Sequence, residues 1–373
     1  MTASRIVICS NTAWSLYNFR RALIRKLVAQ GFDVVAVSPL DNYSEKLPEL
    51  GCRYVALPMD NRGTSPLRDI ALFWALLLLL HRERPSAYVG FTVKPNIYGA
   101  LAAAALGIPH LCNVTGLGAT FIRRSWLTRV VKALYRLALH QAQVVFENTE
   151  DREVFVNDRL ARADQVTVMP TTGIDLQHFA PLPRRRPDGE LRFLLVARLL
   201  WDKGVGEFVA AAREVRKTHP AARFQLLGFL DVLNPAAIKR TTVEQWTEEG
   251  VVEYLGVTDD VRPFVAAADC VVLPSYREGL SRSLLEAAAM ARPIIASDVP
   301  GCREAVIPAI SGFLVPARQV GPLAAAFRAF CDLSDEQRVA MGNAGLNKAR
   351  TEFDERQVVA RYWDKIREMT LAT

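Results

Sequence analysis

The chain has no Cys-x-x-Cys pair, no cluster of histidines and no apolar run long enough to cross a bilayer. Its six cysteines (Cys9, Cys52, Cys112, Cys270, Cys302, Cys331) are scattered, mostly in apolar surroundings. They read as small core residues of a reduced protein, which excludes a disulfide framework. Five histidines without ligand spacing exclude the common zinc patterns, so no metal site is expected. The apolar stretch Ile70–Leu80 is eleven residues long, between Asp69 and His81. That is too short to span a bilayer and predicts a helix packed on a sheet, with shallow membrane dipping as the other reading. The chain opens directly into the strand-like Arg5-Ile6-Val7-Ile8-Cys9 without the pattern of a secretory signal, so a cytoplasmic protein is expected.

Negative charge is missing from a long segment. Between Pro85 and Phe146 there is no acidic residue. Residues 1–140 hold 17 Lys or Arg against 7 Asp or Glu, whereas residues 182–373 hold 26 against 25, although the whole chain is only +7. A basic first half implies an anionic partner: a phosphate, a membrane surface or a nucleic acid.

What is present is globular, with 50% hydrophobic and 23% charged residues, and 373 residues suit two domains better than one core. Short runs rich in Val, Ile and Leu alternate with helical patterns. Strands are expected at 4–9, 33–37, 53–57, 86–91, 109–112, 143–147 and 166–169, then at 191–197, 223–228, 251–255, 269–273, 293–297 and 312–315. Continuous apolar strands separated by helices predict parallel sheets covered on both faces. Residues 181–190, with three Pro and three Arg, have linker composition. The expected architecture is α/β, with two Rossmann-like doubly wound domains, 1–181 and 182–353, and a final helical segment at 354–373. Such sheets bind ligands at the carboxyl ends of their strands.

The segment 269–286 carries the most chemistry. It reads as a buried strand, a tight loop with Glu278, then a helix containing Glu286. Counted as helix, that spacing separates the two carboxylates by roughly 12 Å along the axis. Between them, the N–H groups of Leu280, Ser281 and Arg282 offer an anion site. The layout suits a ligand with hydroxyls at both ends and phosphates between, such as a nucleotide sugar. In the second expected domain, the first strand ends at Arg198, and Lys203-Gly204 enters the next helix. Two fixed cations on one loop at the ligand-binding edge suit a departing diphosphate, whose charge grows as its bond breaks. A solvated loop with an Arg and a Lys is the alternative reading.

Ala197-Arg198-Leu-Leu-Trp201-Asp-Lys203-Gly204, Leu273-Pro-Ser-Tyr-Arg-Glu278-Gly, Asp298-Val-Pro-Gly301-Cys302-Arg-Glu304-Ala305 and Gly116-Leu117-Gly118 together resemble the retaining family 4 glycosyltransferases of the GT-B fold. The branch most similar in appearance adds sugars to polyprenyl-diphosphate-linked saccharides in bacteria, the N-glycosylation N-acetylgalactosaminyltransferases among them. The likeness covers nearly the whole chain. It implies two domains facing a central cleft, a final helix returning to the first domain, a nucleotide-sugar donor (a UDP-sugar), a lipid-linked saccharide acceptor and no cofactor. It also implies that Arg198 and Lys203 hold the diphosphate, with Glu278 on the donor hexose and Glu286 on the ribose. The backbone from Gly279 through Leu280 and Ser281 would meet the phosphates, and Gly228 would let the ligand approach the chain. Many members carry Phe-Pro where this chain has Leu280-Ser281, and Gly-Gly where it has the Ser10-Asn11-Thr12-Ala13-Trp14 loop.

On the acceptor side, Asn11, Thr12, Lys94, Asn96, Thr115 and Gly116 follow first-domain strands, with Lys94 expected on an acceptor phosphate. The helix expected at 124–140 interleaves Arg124, Arg129, Lys132 and Arg136 with apolar residues. It is read as binding an anionic membrane surface, which would place the protein peripherally on the inner face of the plasma membrane. A packing helix with a solvated basic face is the other reading.

Rival functions find less support. Gly116-Leu-Gly118 and Gly204-Val-Gly206 begin like dinucleotide fingerprints but lack the third glycine. No nucleic-acid motif accompanies the basic half, so no nucleic-acid partner is expected. A sugar-nucleotide epimerase and a non-catalytic, membrane-associated sugar-nucleotide-binding protein are the alternatives that share the predicted donor site.

Overall fold

All thirteen expected strands form, and their order explains where the site lies. The computed structural model describes residues 4–60, 63, 65–117, 126–183 and 190–371. Seven parallel strands make the first sheet: β1 (Arg5–Cys9), β2 (Asp33–Ser38), β3 (Arg53–Ala56), β4 (Ala87–Phe91), β5 (His110–Val114), β6 (Gln143–Phe146) and β7 (Val166–Val168). Their spatial order is β3-β2-β1-β4-β5-β6-β7. Six more make the second: β8 (Leu191–Val196), β9 (Ala222–Leu227), β10 (Glu253–Tyr254), β11 (Cys270–Leu273), β12 (Ile294–Ser297) and β13 (Gly312–Val315), in the order β10-β9-β8-β11-β12-β13. In each sheet the order reverses once, between β1 and β4 and between β8 and β11. The loops leaving those strand pairs diverge and leave a crevice at the carboxyl edge.

The first sheet is covered on both faces, as its β-branched, doubly apolar strands require. Ile6 and Ile8 face one layer; Val7 and Cys9 face the other. On the first face lies α1 (Ala13–Ala29), packed against the last helix of the chain. On the second face lie α2 (Pro66–Glu83), α3 (Ala100–Ala105) and α4 (Trp126–Ala138), with α5 (Thr149–Asn157) beside α4. Register places α2 and α4 on the same side. Cys9, packed in the α2 cluster, is paired with Gly90, which is paired with Cys112 in the α4 cluster.

The stretch Ile70–Leu80 is indeed helical, but only half of it is buried. Leu72, Leu76, Leu79 and Leu80 pack on the sheet, while Ile70, Trp74 and Leu78 are exposed.

The second sheet carries α6 (Val205–Arg216), α7 (Arg240–Glu248), α8 (Arg262–Ala267), α9 (Arg282–Ala289), α10 (Val320–Cys331) and α11 (Asp335–Glu352). Its core stacks Phe193 on Phe224 at 5.1 Å, with Phe208, Phe327 and Phe330 edge-on around them. The final helix, α12 (Glu355–Leu371), buries Val358, Tyr362, Ile366 and Met369 in the core that α1 shares with the first sheet. Its Tyr362 hydroxyl donates to Asn113 Oδ1 at 2.6 Å.

Two units result: the chain up to Gly173 together with the part from Glu355, and Ile174–Asp354. Linker composition sets the divide at 181/182, but burial sets it earlier. Ile174 and Phe179 already belong to the second unit's core, and the Ile174 amide donates to Phe353 O at 2.7 Å.

Candidate active site

The second unit brings its predicted residues together through three loops. Arg198 leaves β8, and the 3-10 turn Trp201–Lys203 follows, closed by Gly204 in the left-handed region at φ 72°. The strand beside β8 is β11, and its exit loop runs from Pro274 to Ser281. These two loops are joined by backbone. The Tyr276 amide and the Ser275 hydroxyl both donate to Asp202 O, at 2.9 and 3.1 Å. Gly204 passes so close to Pro274 O that a Cβ would sit 2.0 Å from it, so no other residue fits. Locked this way, Lys203 Nζ lies 2.5 Å from Glu278 Oε1, both side chains mostly buried. The third loop follows β12. Pro300 O accepts the Glu278 amide at 3.1 Å, Gly301 O accepts the Ser281 amide at 2.8 Å, and Glu304 Oε2 accepts the Gly301 amide at 2.6 Å.

Arg198 differs from Lys203. It is exposed, and among the described residues its guanidinium has no hydrogen-bond or ion-pair partner. Its loop is nonetheless held: the Leu199 amide donates to Phe229 O at 2.9 Å and the Trp201 amide to Ala236 O at 2.8 Å. Gly228, at φ 146°, makes that docking possible, since a Cβ there would lie 1.8 Å from Ala197 O. The glycine is thus required by the chain itself, and both its amide and its carbonyl are already bonded, to Gly256 O and the Tyr254 hydroxyl.

Two expectations about the Glu278–Glu286 segment need correction. Helix α9 starts only at Arg282, so the stretch from Glu278 to Ser281 is loop and the helical distance between the two carboxylates does not apply. The Ser281 amide is not free, because Gly301 takes it. Glu286 pairs with Arg282 one turn back, Nε to Oε1 at 2.9 Å. Burial pushes the Glu286 carboxyl above its ordinary range, and Arg282 partly offsets that.

Sequence reasoning passed over Tyr276. Its hydroxyl donates to Glu207 Oε1 at 2.6 Å, and Arg318 lies 4.3 Å over its ring. Burial, reinforced by Glu207, raises the phenol to about 12. No spacing links residues 207, 276 and 318; the start of α6, the loop after β11 and the segment before α10 meet only in the fold.

The first unit gathers its predicted residues at the exits of β1, β4 and β5, but several are already committed. Lys94 Nζ lies 2.5 Å from Asp69 Oδ1 and 3.0 Å from Gly63 O, so an acceptor phosphate would have to compete with Asp69 for it. Asn96 does not face solvent. It is 1% exposed, donating to Asn113 O at 2.7 Å and accepting from the Asn113 amide at 3.3 Å. Thr12 caps α1, its Oγ1 accepting the Ser15 amide at 3.1 Å. Asn11, Thr115 and Gly116 are half-buried at the strand exits. On α4, Lys132 pairs with Asp158 at 2.7 Å and Arg136 donates to Asp158 O and Arg159 O, which removes both from the expected free basic face. Arg129 is exposed. Arg124 and Gly118 lie outside the described residues. Among the described residues no three His, Cys, Asp or Glu side chains converge, and no helix is long and apolar enough to cross a membrane.

Comparison with known proteins bears on family and fold. Residues 18–172 match the glycosyl transferase 4-like domain, and residues 190–332 match the model for glycosyl transferases group 1. A Campylobacter jejuni N,N'-diacetylbacillosaminyl-diphospho-undecaprenol alpha-1,3-N-acetylgalactosaminyltransferase is 28% identical, over 96% of this chain and 97% of that protein. An Escherichia coli UDP-Gal:alpha-D-GlcNAc-diphosphoundecaprenol alpha-1,3-galactosyltransferase is 25% identical, over 76% and 74%. Among solved structures, a sucrose-phosphate synthase from Thermosynechococcus elongatus superposes with a TM-score of 0.81 at 19% identity, over 99% of this chain and 100% of that one. Anabaena HepE in complex with UDP-glucose gives 0.76 at 18%, with the same coverage. These likenesses identify the fold as GT-B. With one family matched in each half, the chain belongs to the group 1 glycosyltransferases that carry a glycosyl transferase 4-like first domain.

Proposed function

We propose that this glycosyltransferase moves a hexose, an N-acetylhexosamine from a UDP donor, onto a polyprenyl-diphosphate-linked saccharide with retention at the anomeric carbon. The observation that carries the reading is the loop pair at the β8–β11 switch point, with Arg198, unpartnered among the described residues, and the Lys203–Glu278 pair. A nucleoside diphosphate needs fixed positive charge as it departs, and Arg198 and Lys203 supply it. Glu278 takes the donor hexose hydroxyls and Glu286 the ribose, while the amides at the start of α9 meet the phosphates. The domain with β8–β13 binds donor, and the domain with β1–β7 binds acceptor through Asn11, Thr115 and Gly116.

In the reaction the bond between the anomeric carbon and the phosphate oxygen breaks, and the nucleoside diphosphate leaves with the electron pair. The acceptor hydroxyl attacks from the same face, and its proton passes to the departing phosphate oxygen. No side-chain base and no metal enters this scheme. A lipid-linked acceptor, which the names of the Campylobacter and Escherichia relatives suggest, would put the work at the inner face of the plasma membrane.

The test is direct. Purified protein is incubated with a panel of UDP-sugars and a polyprenyl-diphosphate disaccharide, and products are read by mass and anomeric configuration. A lengthened saccharide with an α linkage is expected. Nucleotide release with no lengthened product, or sugar interconversion without acceptor, would reject the transferase reading in favour of hydrolysis or epimerisation.

A further inference from the structure

The outer faces of α2 and α4 are apolar, and the large apolar side chains there stay exposed among the described residues. On α2, Leu67, Ile70, Trp74 and Leu78 recur at helical spacing opposite the buried Leu72, Leu76 and Leu79. Trp74 and Leu78 are 55% and 66% exposed. On α4, Trp126, Val130 and Leu137 make a second stripe, with Trp126 at 74% and Leu137 at 65% exposed. Monomeric soluble proteins rarely expose so many large apolar side chains in one region. Both helices lie on the same side of the first sheet, with α3 packed between them. Both also run antiparallel to the strands, so Leu67 and Trp126 lie at the carboxyl edge, where Asn11 and Thr115 emerge.

Charge selects the occupant. The two acids on α2 are both neutralised: Asp69 by Lys94, and Glu83 by Arg53 at 2.6 Å and Arg82 at 3.0 Å. No acid occurs again before Glu147. On α2 and α4 themselves the described residues present Arg129, Arg82 and His81 to solvent, and the two carboxylates, Asp69 and Glu83, are both paired. An apolar surface without free negative charge and with basic flanks matches an anionic lipid bilayer.

We propose that α2 and α4 form a two-helix face that inserts shallowly into an anionic bilayer and holds the acceptor edge of the first domain against the lipid. This rests on the peripheral-membrane reading above and extends it from the basic and apolar faces of α4 to a second apolar stripe on α2. Long basic side chains at the flanks would lie at the headgroups.

The experiment is sedimentation with phosphatidylcholine–phosphatidylglycerol vesicles and with pure phosphatidylcholine vesicles. The proteins are the wild type, Trp74→Ser/Leu78→Ser and Trp126→Ser/Leu137→Ser, each checked for unchanged thermal unfolding. Each pair of substitutions should weaken partition into the mixed vesicles about tenfold or more, from the apolar area no longer buried. Brominated lipid should quench tryptophan fluorescence in the wild type, and Trp74→Ser should remove part of that quenching. Release of the α4 variant with wild-type binding of the α2 variant would overturn the two-helix face and leave membrane association standing. A wild-type protein that stays in the supernatant with every vesicle would reject membrane association and this inference with it. A dimer in light scattering that dissociates on Trp74→Ser/Leu78→Ser, with no vesicle binding, would assign the face to a second copy and overturn the lipid assignment.

Discussion

Lys203 and Glu278 neutralise each other across two loops, Nζ lying 2.5 Å from Oε1. The pair is held by the hydrogen bonds that the Tyr276 amide and the Ser275 hydroxyl donate to Asp202 O, so neither residue is positioned by chance. In the proposed reaction a donor diphosphate competes with Glu278 for Lys203, while Arg198 meets it without losing a partner.

That asymmetry separates two alanine variants. Arg198→Ala removes an exposed, unpartnered side chain, so thermal stability should stay at the wild-type level while kcat falls about 100-fold or more. Lys203→Ala should lower kcat similarly and also destabilise by about 1–3 kcal/mol, because Glu278 is left largely buried and unpaired. Steady-state kinetics and calorimetry on both proteins check this. Near-normal turnover in both would remove the diphosphate role.

Glu286→Ala tests the ribose assignment against a purely structural ion pair with Arg282. Loss of a charge-assisted hydrogen bond to a ribose hydroxyl should weaken UDP binding by about 1.5–3 kcal/mol, roughly 10- to 150-fold. Titration calorimetry with UDP reads this directly. Unchanged affinity together with a lowered melting temperature would leave Glu286 as a partner for Arg282 alone.

Gly228→Ala should damage both fold and site. The left-handed φ and the 1.8 Å approach to Ala197 O leave no room for a methyl group, and the obstacle is backbone, which cannot rotate away. A loss of at least about 2 kcal/mol is expected. Arg198 follows Ala197 directly, so UDP affinity should fall even at temperatures where the variant is fully folded.

The first domain carries a pH signature of its own. The Arg53 hydrogen bond, with help from Arg82 and Arg5 and against the effect of burial, holds the Glu83 carboxyl below its ordinary range. A depressed carboxylate contributes stability above its unfolded pKa, about 4.3, and loses it as pH falls through the lower folded value. Glu83→Gln should therefore be less stable than wild type at neutral pH, by about 1–3 kcal/mol. The gap should close as pH drops below about 4. Thermal unfolding from neutral pH downward checks the sign, and a gap that widened in acid would contradict it.

The strands were legible because parallel strands buried on both faces must be apolar throughout, and little else in the chain looks like that. Arg198, Lys203 and Glu278 were legible for a related reason: charged residues placed just after such runs emerge at a sheet edge. What sequence could not convey was which polar groups are already spent. Lys94 looks like a free cation until α2 brings Asp69 alongside, and Asn96 looks solvent-facing until its side chain is found clamped on the Asn113 backbone. The Ser281 amide looks available until the loop after β12 supplies Gly301 O. Each of these partners comes from a distant part of the chain, so spacing carries no trace of it. Tyr276, bonded to Glu207 and covered by Arg318, was missed for the same reason.

The last helix has a consequence for how the chain is made. Val358, Tyr362, Ile366 and Met369 complete the core beneath α1 and the first sheet, and the Tyr362 hydroxyl is the donor to buried Asn113. During synthesis, the first half therefore leaves the ribosome without a piece that is encoded after the second domain. It must wait, with that core face open, until the whole second domain has been translated. The first domain is therefore completed only after the second has been translated, and deleting the part from Glu355 onward would deprive the first domain of some of its interior while leaving Ile174–Asp354 intact.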